Sequence, residues 1–115
     1  YGSGKQTRTY CYITDAMEGF IRVVCYGKSG GAYNIGNNSP EVSVKDIFKI
    51  LKKIHNKAIN ARYISHPKSY PNDEPQRRCP DISKAKKDLN YKTRVKLEKG
   101  LKNFLDWAKV NYKVY

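Results

Sequence analysis

Apolar side chains recur at helical spacing in four places along this chain. Met17, Phe20, Ile21 and Val24 fall at i, i+3, i+4 and i+7, the rhythm of one helical face. Thr14 or Asp15 stands where an N-cap is wanted, and Gly27 stands where such a helix would close. Val44, Ile47, Phe48, Leu51 and Ile54 form a second stripe, opened by Ser43 with Asp46 three residues on, a variant of the capping box. Ile82, Ala85 and Leu89 mark the inward side of a short helix that starts at Asp81 or Ser83. After a turn at Asn90-Tyr91-Lys92, Leu97, Leu101, Phe104, Leu105 and Ala108 define the buried stripe of a last helix, with Trp107 and Tyr112 beside it as packing.

Between the helices lie short runs with strand character. Thr9–Ile13 is β-branched and aromatic, Ala32–Ile35 follows the first helix, and residues 61–65 form a third such run. Tyr1–Lys5 has turn chemistry, with Gly2 and Gly4 free to take positive φ, and Gly36-Asn37-Asn38-Ser39-Pro40 is a loop whose Gly and Asn residues tolerate unusual backbone angles. The stretch from His66 to Pro80 is punctuated by Pro67, Pro71, Pro75 and Pro80, and a loop of this length is commonly functional or disordered. Strand and helix alternate, so the expected class is α/β, with short strands and about four helices. At 115 residues and 39% hydrophobic, the chain suits one domain with a modest core.

Charge alters this picture in one respect. The net charge is +13, and it is uneven: residues 1–50 hold six Lys/Arg against four Asp/Glu, residues 51–115 hold seventeen against six. Lysines 86, 87, 92, 96, 99, 102 and 109 suit the solvated faces of amphipathic helices. The alternative is a small basic nucleic-acid-binding module with tyrosines available for stacking, although the tyrosines are scattered and no recognition motif accompanies them. Cys11, Cys25 and Cys79 are too widely spaced for a metal-binding pair and read as reduced thiols, with Cys11 and Cys25 at least partly buried. No apolar run is long enough to span a membrane, and the chain opens on Tyr1 without a signal segment, so the expectation is a soluble, cytoplasmic fragment or excised domain.

Candidate chemistry concentrates on arginines beside loops. Arg8 follows a glycine turn, and Arg77-Arg78 lie just before a helix start. Guanidinium groups present forked donors to phosphate oxygens, and two such elements converging can hold a diphosphate. General bases are poorly supplied. His55 lies beside Lys52 and Lys53, His66 precedes a proline, and Asp73-Glu74 suit loop solvation. The run Gly27-Lys28-Ser29-Gly30-Gly31 lacks the preceding glycine spacing and the strand-to-helix setting of a triphosphate loop.

Five segments, in order along the chain, carry a resemblance. They are Tyr1-Gly2-Ser3-Gly4-Lys5-Gln6-Thr7-Arg8, Tyr12-Ile13-Thr14-Asp15 to Glu18-Gly19, Tyr33-Asn34-Ile35-Gly36-Asn37, the run from Asp73 to Ala85 around Arg77-Arg78-Cys79-Pro80-Asp81, and Leu97-Glu98-Lys99-Gly100-Leu101. In these the chain resembles the C-terminal part of the extended short-chain dehydrogenase/reductase family of nucleotide-sugar enzymes (NAD-dependent epimerases and dehydratases), most of all the UDP-glucuronate decarboxylase branch. The resemblance implies a single C-terminal nucleotide-sugar-binding segment over residues 1–115 of a Rossmann-type enzyme, whose N-terminal dinucleotide-binding part is absent.

It also implies that Arg8 and Arg78 face the diphosphate of a UDP-sugar, that Tyr1 and Gln6 belong to the substrate loop, and that Arg77 stands next to the matching position. Asn34 and Asn37 would shape the loop near the substrate, and Asp81 would cap or orient the following helix. Family members carry a G-x-x-G-x-x-G fingerprint and a Tyr-x-x-x-Lys pair on one helix face; no such fingerprint and no such helical pair is found here, and Tyr91-Lys92 and Tyr112-Lys113 are adjacent pairs. The implied complete enzyme uses NAD and is a homodimer, whereas this chain alone is expected to bind no dinucleotide and to catalyse nothing.

Overall fold

In a computed structural model, residues 1–55, 58–69 and 75–112 are described. The elements are β1 (Thr7–Thr9), α1 (Ile13–Tyr26), β2 (Glu41–Ser43), α2 (Val44–His55), β3 (Arg77–Arg78), α3 (Ser83–Leu89) and α4 (Leu97–Asn111). The chain divides into two compact units, one formed by Tyr1–Arg8 with Val42–Arg78, the other by Thr9–Glu41 with Cys79–Tyr115. All four helices stand close to where apolar periodicity puts them. The strands do not.

In the first unit the sheet has the order β2-β1-β3, and β1 pairs with β3 in parallel, with Thr7 opposite Arg77 and Arg8 opposite Arg78. The strand expected over Thr9–Ile13 is therefore displaced toward the N-terminus and shares only Thr9 with β1. Its partner sits inside the proline-punctuated loop, where no local pattern announces it. Residues 61–65 were expected as a strand and form none; Ile64 accepts one backbone bond from Gly2 N (2.9 Å), and no ladder follows. Gly2 and Gly4 take φ of 63° and 67°, as the turn requires.

β2 runs straight into α2. Ser43 N donates to Asp46 Oδ2 (3.3 Å) and Asp46 N donates to Ser43 Oγ (3.2 Å), so the capping box closes reciprocally. The Ser43 hydroxyl also donates to Asp46 Oδ2 (2.6 Å). These bonds, with Lys49 adding a further one, lower the Asp46 carboxyl from its ordinary 3.8 to about 2. The folded-state value is depressed, so the stabilisation from this carboxylate is present above about pH 4 and is lost as pH falls toward 2. Ser43→Ala is expected to cost about 1 kcal/mol, read as a lower urea midpoint at neutral pH.

The second unit holds the core. Ile82, Ala85, Leu89 and Tyr91 are the buried apolar residues among those described, with Val23, Tyr33 and Ile35 packed against them. The inward side of α3 is the one expected, and Asn90 closes that helix in the left-handed region (φ 49°). α1 packs against α3, and Gly19 on α1 faces Ile35 and Tyr91 closely enough that an added Cβ would clash with Ile35 Cγ2 and crowd the Tyr91 ring.

Expectations fail at several points in this unit. Ala32–Ile35 forms no strand and has no ladder to join; Lys84 Nζ of α3 donates to Ala32 O (2.9 Å) and lies 4.6 Å from the centre of the Tyr33 ring. Neither Thr14 nor Asp15 caps α1. Tyr12 occupies that position without a side-chain cap bond, and the Asp15 carboxylate turns away to accept Arg94 N and Val95 N (3.0 Å each). The stripe that defines α1 in the sequence also faces outward: Ile13, Met17, Phe20, Ile21 and Val24 are 49–86% exposed.

Cys25, on the same helix, is exposed for the same reason, whereas Cys11 and Cys79 are half-buried. Gly27 does cap α1, though with extended backbone (φ −67°) rather than a left-handed turn. Along α4, Leu97, Leu101, Leu105 and Ala108 are half-buried as expected, but Phe104 is exposed and stacks obliquely toward Trp107 (5.9 Å), which in turn meets Tyr112 edge-on (5.4 Å).

Candidate functional site

The site residues named from sequence, Tyr1, Gln6, Arg8, Arg77 and Arg78, all lie in the first unit. Each is placed by backbone. Gln6 O accepts Val44 N (3.3 Å), Gly4 O accepts Lys45 N (3.1 Å), and Thr7 N donates to Gln76 O (2.8 Å), so the run from Gly4 to Arg8 is held between the start of α2 and β3. Arg8 and Arg78 are paired in register on neighbouring parallel strands. Residues opposite each other in a parallel pair project from the same face, and successive residues alternate. Arg8 and Arg78 thus share one face of the sheet, while Arg77 falls with Thr7 on the other. Nη1 of Arg8 donates to its neighbour's carbonyl, Thr7 O (2.7 Å), which limits the swing of the guanidinium.

Tyr1 stacks on His66, with ring centroids 5.8 Å apart. His66 is thereby assigned a packing contact that its position before a proline did not suggest. A small cleft of about 90 Å³ opens beside it, lined among others by Tyr1, Lys45, Arg62 and Tyr63. Lys45 Nζ lies 5.3 Å from the centre of the Tyr63 ring, a cation–π contact. Sequence reasoning did not single out Lys45, Arg62 or Tyr63. Arg62 carries the same signal as Arg8, Arg77 and Arg78, an arginine beside a loop.

Asn34, Asn37 and Asp81 belong to the second unit. Asn37 is buried, and its amide ties three segments: Nδ2 donates to Tyr10 O (3.3 Å), while Oδ1 accepts Ser39 N (3.2 Å) and Thr93 Oγ1 (3.3 Å). Its value lies in that side chain; positive φ among the described non-glycine residues occurs only at Asn90. Asn34 Nδ2 donates to Asp81 O (3.0 Å), and Asp81 Oδ1 accepts Ser83 N (2.8 Å) at the first residue of α3; hydrogen bonds from the Ser83 hydroxyl and then from its backbone lower the Asp81 carboxyl below its ordinary value. Asp81 therefore orients the helix start as expected. Asp73 and Glu74 lie outside the described residues, as does Lys113.

Titratable groups with shifted protonation lie in the second unit too. Burial pushes the Tyr91 hydroxyl and the Cys11 thiol up, and the two share a contact of 3.5 Å, with Tyr91 Oη also donating to Gly36 O (3.0 Å). A raised thiol is a poor nucleophile, so this pair is structural. Among the described residues no three His, Cys, Asp or Glu side chains cluster as metal ligands, and no helix is long and apolar enough to cross a membrane. The glycine run Gly27–Gly31 follows the end of α1 and opens no helix.

Comparison with known proteins gives this arrangement a setting. Residues 1–104 match the family model described as GDP-mannose 4,6 dehydratase. UDP-glucuronic acid decarboxylase 3 of Arabidopsis thaliana is 37% identical over 85% of this chain and 27% of its own length. The human dTDP-D-glucose 4,6-dehydratase is 32% identical over 97% of this chain and 32% of its own. Among solved structures, the UDP-glucuronic acid 4-epimerase of Bacillus cereus, in complex with UDP-glucuronic acid and NAD, superposes with a TM-score of 0.84 at 35% identity, covering 97% of this chain and 35% of that one.

The chain thus spans about a third or less of the length of these relatives. Nucleotide-sugar decarboxylases, dehydratases and epimerases are all represented among them. The match over 104 of 115 residues, together with the shared architecture, identifies the chain as a member of the GDP-mannose 4,6-dehydratase family, within the Rossmann-type extended short-chain dehydrogenases/reductases.

Proposed function

We propose that residues 1–115 form a nucleotide-sugar-binding segment that grips the diphosphate of a UDP-sugar between Arg8 and Arg78, with Gln6 and Tyr1 bordering the site and Arg77 in a lesser role. The observation that carries this reading is the in-register pairing of the two arginines on β1 and β3. A diphosphate bears charge on adjacent phosphoryl groups, and two forked cations on neighbouring strands match it better than one. Positioning is what such a segment contributes to the reaction.

The reaction we assign to the complete enzyme is the decarboxylation of UDP-glucuronate, supported by the identity to the plant decarboxylase. NAD, held by an N-terminal dinucleotide-binding part, would supply the hydride chemistry there. We place that enzyme in the cytoplasm as a homodimer, and we expect the segment alone to be catalytically silent.

The test is titration of the chain with UDP, UDP-sugars and a short oligonucleotide, followed by backbone resonances. UDP should saturate near Arg8 and Arg78 and survive moderate salt, whereas binding to the basic second half by nucleic acid falls steeply with salt. Oligonucleotide shifts at Arg8 and Arg78 in the absence of any UDP response would sink the proposal in favour of the nucleic-acid module.

A further inference from the structure

The first turn of a helix carries backbone N–H groups for which the helix itself has no carbonyl. In α2 the donor of Asp46 goes to Ser43 Oγ within the capping box. The two before it leave the helix: Val44 N donates to Gln6 O (3.3 Å) and Lys45 N to Gly4 O (3.1 Å). Gly4 arrives there in a left-handed turn (φ 67°), and an added Cβ would crowd Lys45 Cγ at 3.2 Å. The start of α2 therefore holds the loop that leads into Arg8.

One peptide unit of that loop is held from both sides. Its carbonyl, Gln6 O, accepts Val44 N, and its N–H, that of Thr7, donates to Gln76 O (2.8 Å). A trans peptide is planar and points its C=O and N–H in opposite directions, so partners on both sides fix its rotation about the chain. The next carbonyl, Thr7 O, receives Nη1 of Arg8 (2.7 Å). A turn of the Gln6–Thr7 unit would thus move both the strand that carries the guanidinium and the carbonyl that anchors it.

We infer that the first turn of α2 is a latch that presets the substrate loop, and that Val44, through its backbone N–H, is a positioning residue for Arg8, with Ser43 and Asp46 seating the latch. This rests on the reading that Arg8 grips a diphosphate, and it extends that site to residues that need not touch the ligand. A loop already in its binding conformation has less freedom to lose when the ligand arrives, which is how a bond remote from the phosphate changes affinity.

Proline separates this role from helix stability. At the first position of a helix it is favoured, because the N–H it lacks has no partner inside the helix and its fixed φ suits the turn. The residue before a proline prefers extended backbone, and Ser43 is the last residue of β2. Val44 is 40% exposed, so exchanging its side chain removes little packing. Val44→Pro is expected to weaken UDP binding about fivefold while leaving the melting temperature unchanged or higher. Val44→Ala, which keeps the N–H, should bind as the parent chain does. Calorimetric titration at one ionic strength compares the three. Without any ligand, the Thr7 amide should exchange its hydrogen about tenfold faster in Val44→Pro and at the parent rate in Val44→Ala.

Parent-like UDP affinity in folded Val44→Pro overturns the inference. So does an equal loss in Val44→Ala, which would assign the effect to packing. If Val44→Pro does not fold, Ser43→Ala and Ser43→Thr take its place: a loss in the first that the second recovers supports the latch, and parent-like affinity in both overturns it. A parent chain that binds no UDP sinks the diphosphate reading instead. Thr7 exchange then decides the latch by itself, and an unchanged rate in Val44→Pro overturns it.

Discussion

Arg8→Ala is expected to lower the affinity for UDP by about 30-fold, the equivalent of roughly 2 kcal/mol for losing charge-assisted hydrogen bonds to a phosphate. Arg78→Ala has an effect of similar size, because the two residues stand opposite each other on β1 and β3. Arg77→Ala changes affinity by no more than about twofold, since strand alternation sends its side chain to the other face. The double variant Arg8→Ala/Arg78→Ala loses less than the two single effects combined, as neighbours sharing one ligand couple. Isothermal titration of the four proteins at one fixed ionic strength measures all of this. Equal losses at Arg77 and Arg78 would remove the register argument, whatever the affinity of the parent chain.

Asp15→Ala destabilises the second unit by about 3 kcal/mol, the largest effect expected of a single surface-distant polar change here. The carboxylate is 4% exposed and accepts two backbone N–H groups, those of Arg94 and Val95, which stand 79 and 80 residues away in sequence. Removing it strands both donors where water has little access, and an unmet buried donor costs more than a made hydrogen bond returns. Beside it, Glu18 accepts Arg22 and Arg94, and Arg22 Nη1 donates to Leu89 O (2.9 Å), so the loss also loosens the link between α1 and the end of α3. Chemical denaturation followed by circular dichroism gives the value. Asp15→Asn keeps one acceptor oxygen and should recover part of it; a midpoint unchanged in Asp15→Ala would show that the 94–95 backbone finds other partners.

Asp15 also illustrates which parts of the structure were legible in the sequence. The helices were, because each is written in a local repeat, and the Ser43–Asp46 box is legible for the same reason. The role of Asp15 was not. Its position suits an N-cap on local grounds, and only the return of the chain after α3 brings the backbone it serves. The same holds for β3, whose two residues become a strand because β1 lies beside them. Ala32–Ile35 and residues 61–65 err in the opposite direction, with strand-forming side chains and no ladder to join. The arginines were legible as chemistry, and their family motif supplied their order. That Arg8 and Arg78 sit opposite each other, and Arg77 does not join them, was visible only in the register.

The division of the chain has a consequence for how it is made. The second unit is discontinuous, with Val42–Arg78 inserted between its two stretches. Among the described residues its buried apolar side chains, Ile82, Ala85, Leu89 and Tyr91, all belong to the later stretch. On a ribosome, therefore, α1 emerges with its amphipathic pattern complete before α3 and Tyr91, which hold the buried residues of this unit's core, have followed it. The intervening residues must close as a loop before the first core contact forms, which makes nucleation a late, non-local event for this part of the molecule. During that interval the Gly19 and Val23 side of α1 lacks its later partners, and the nascent chain is exposed to chaperones and to premature association.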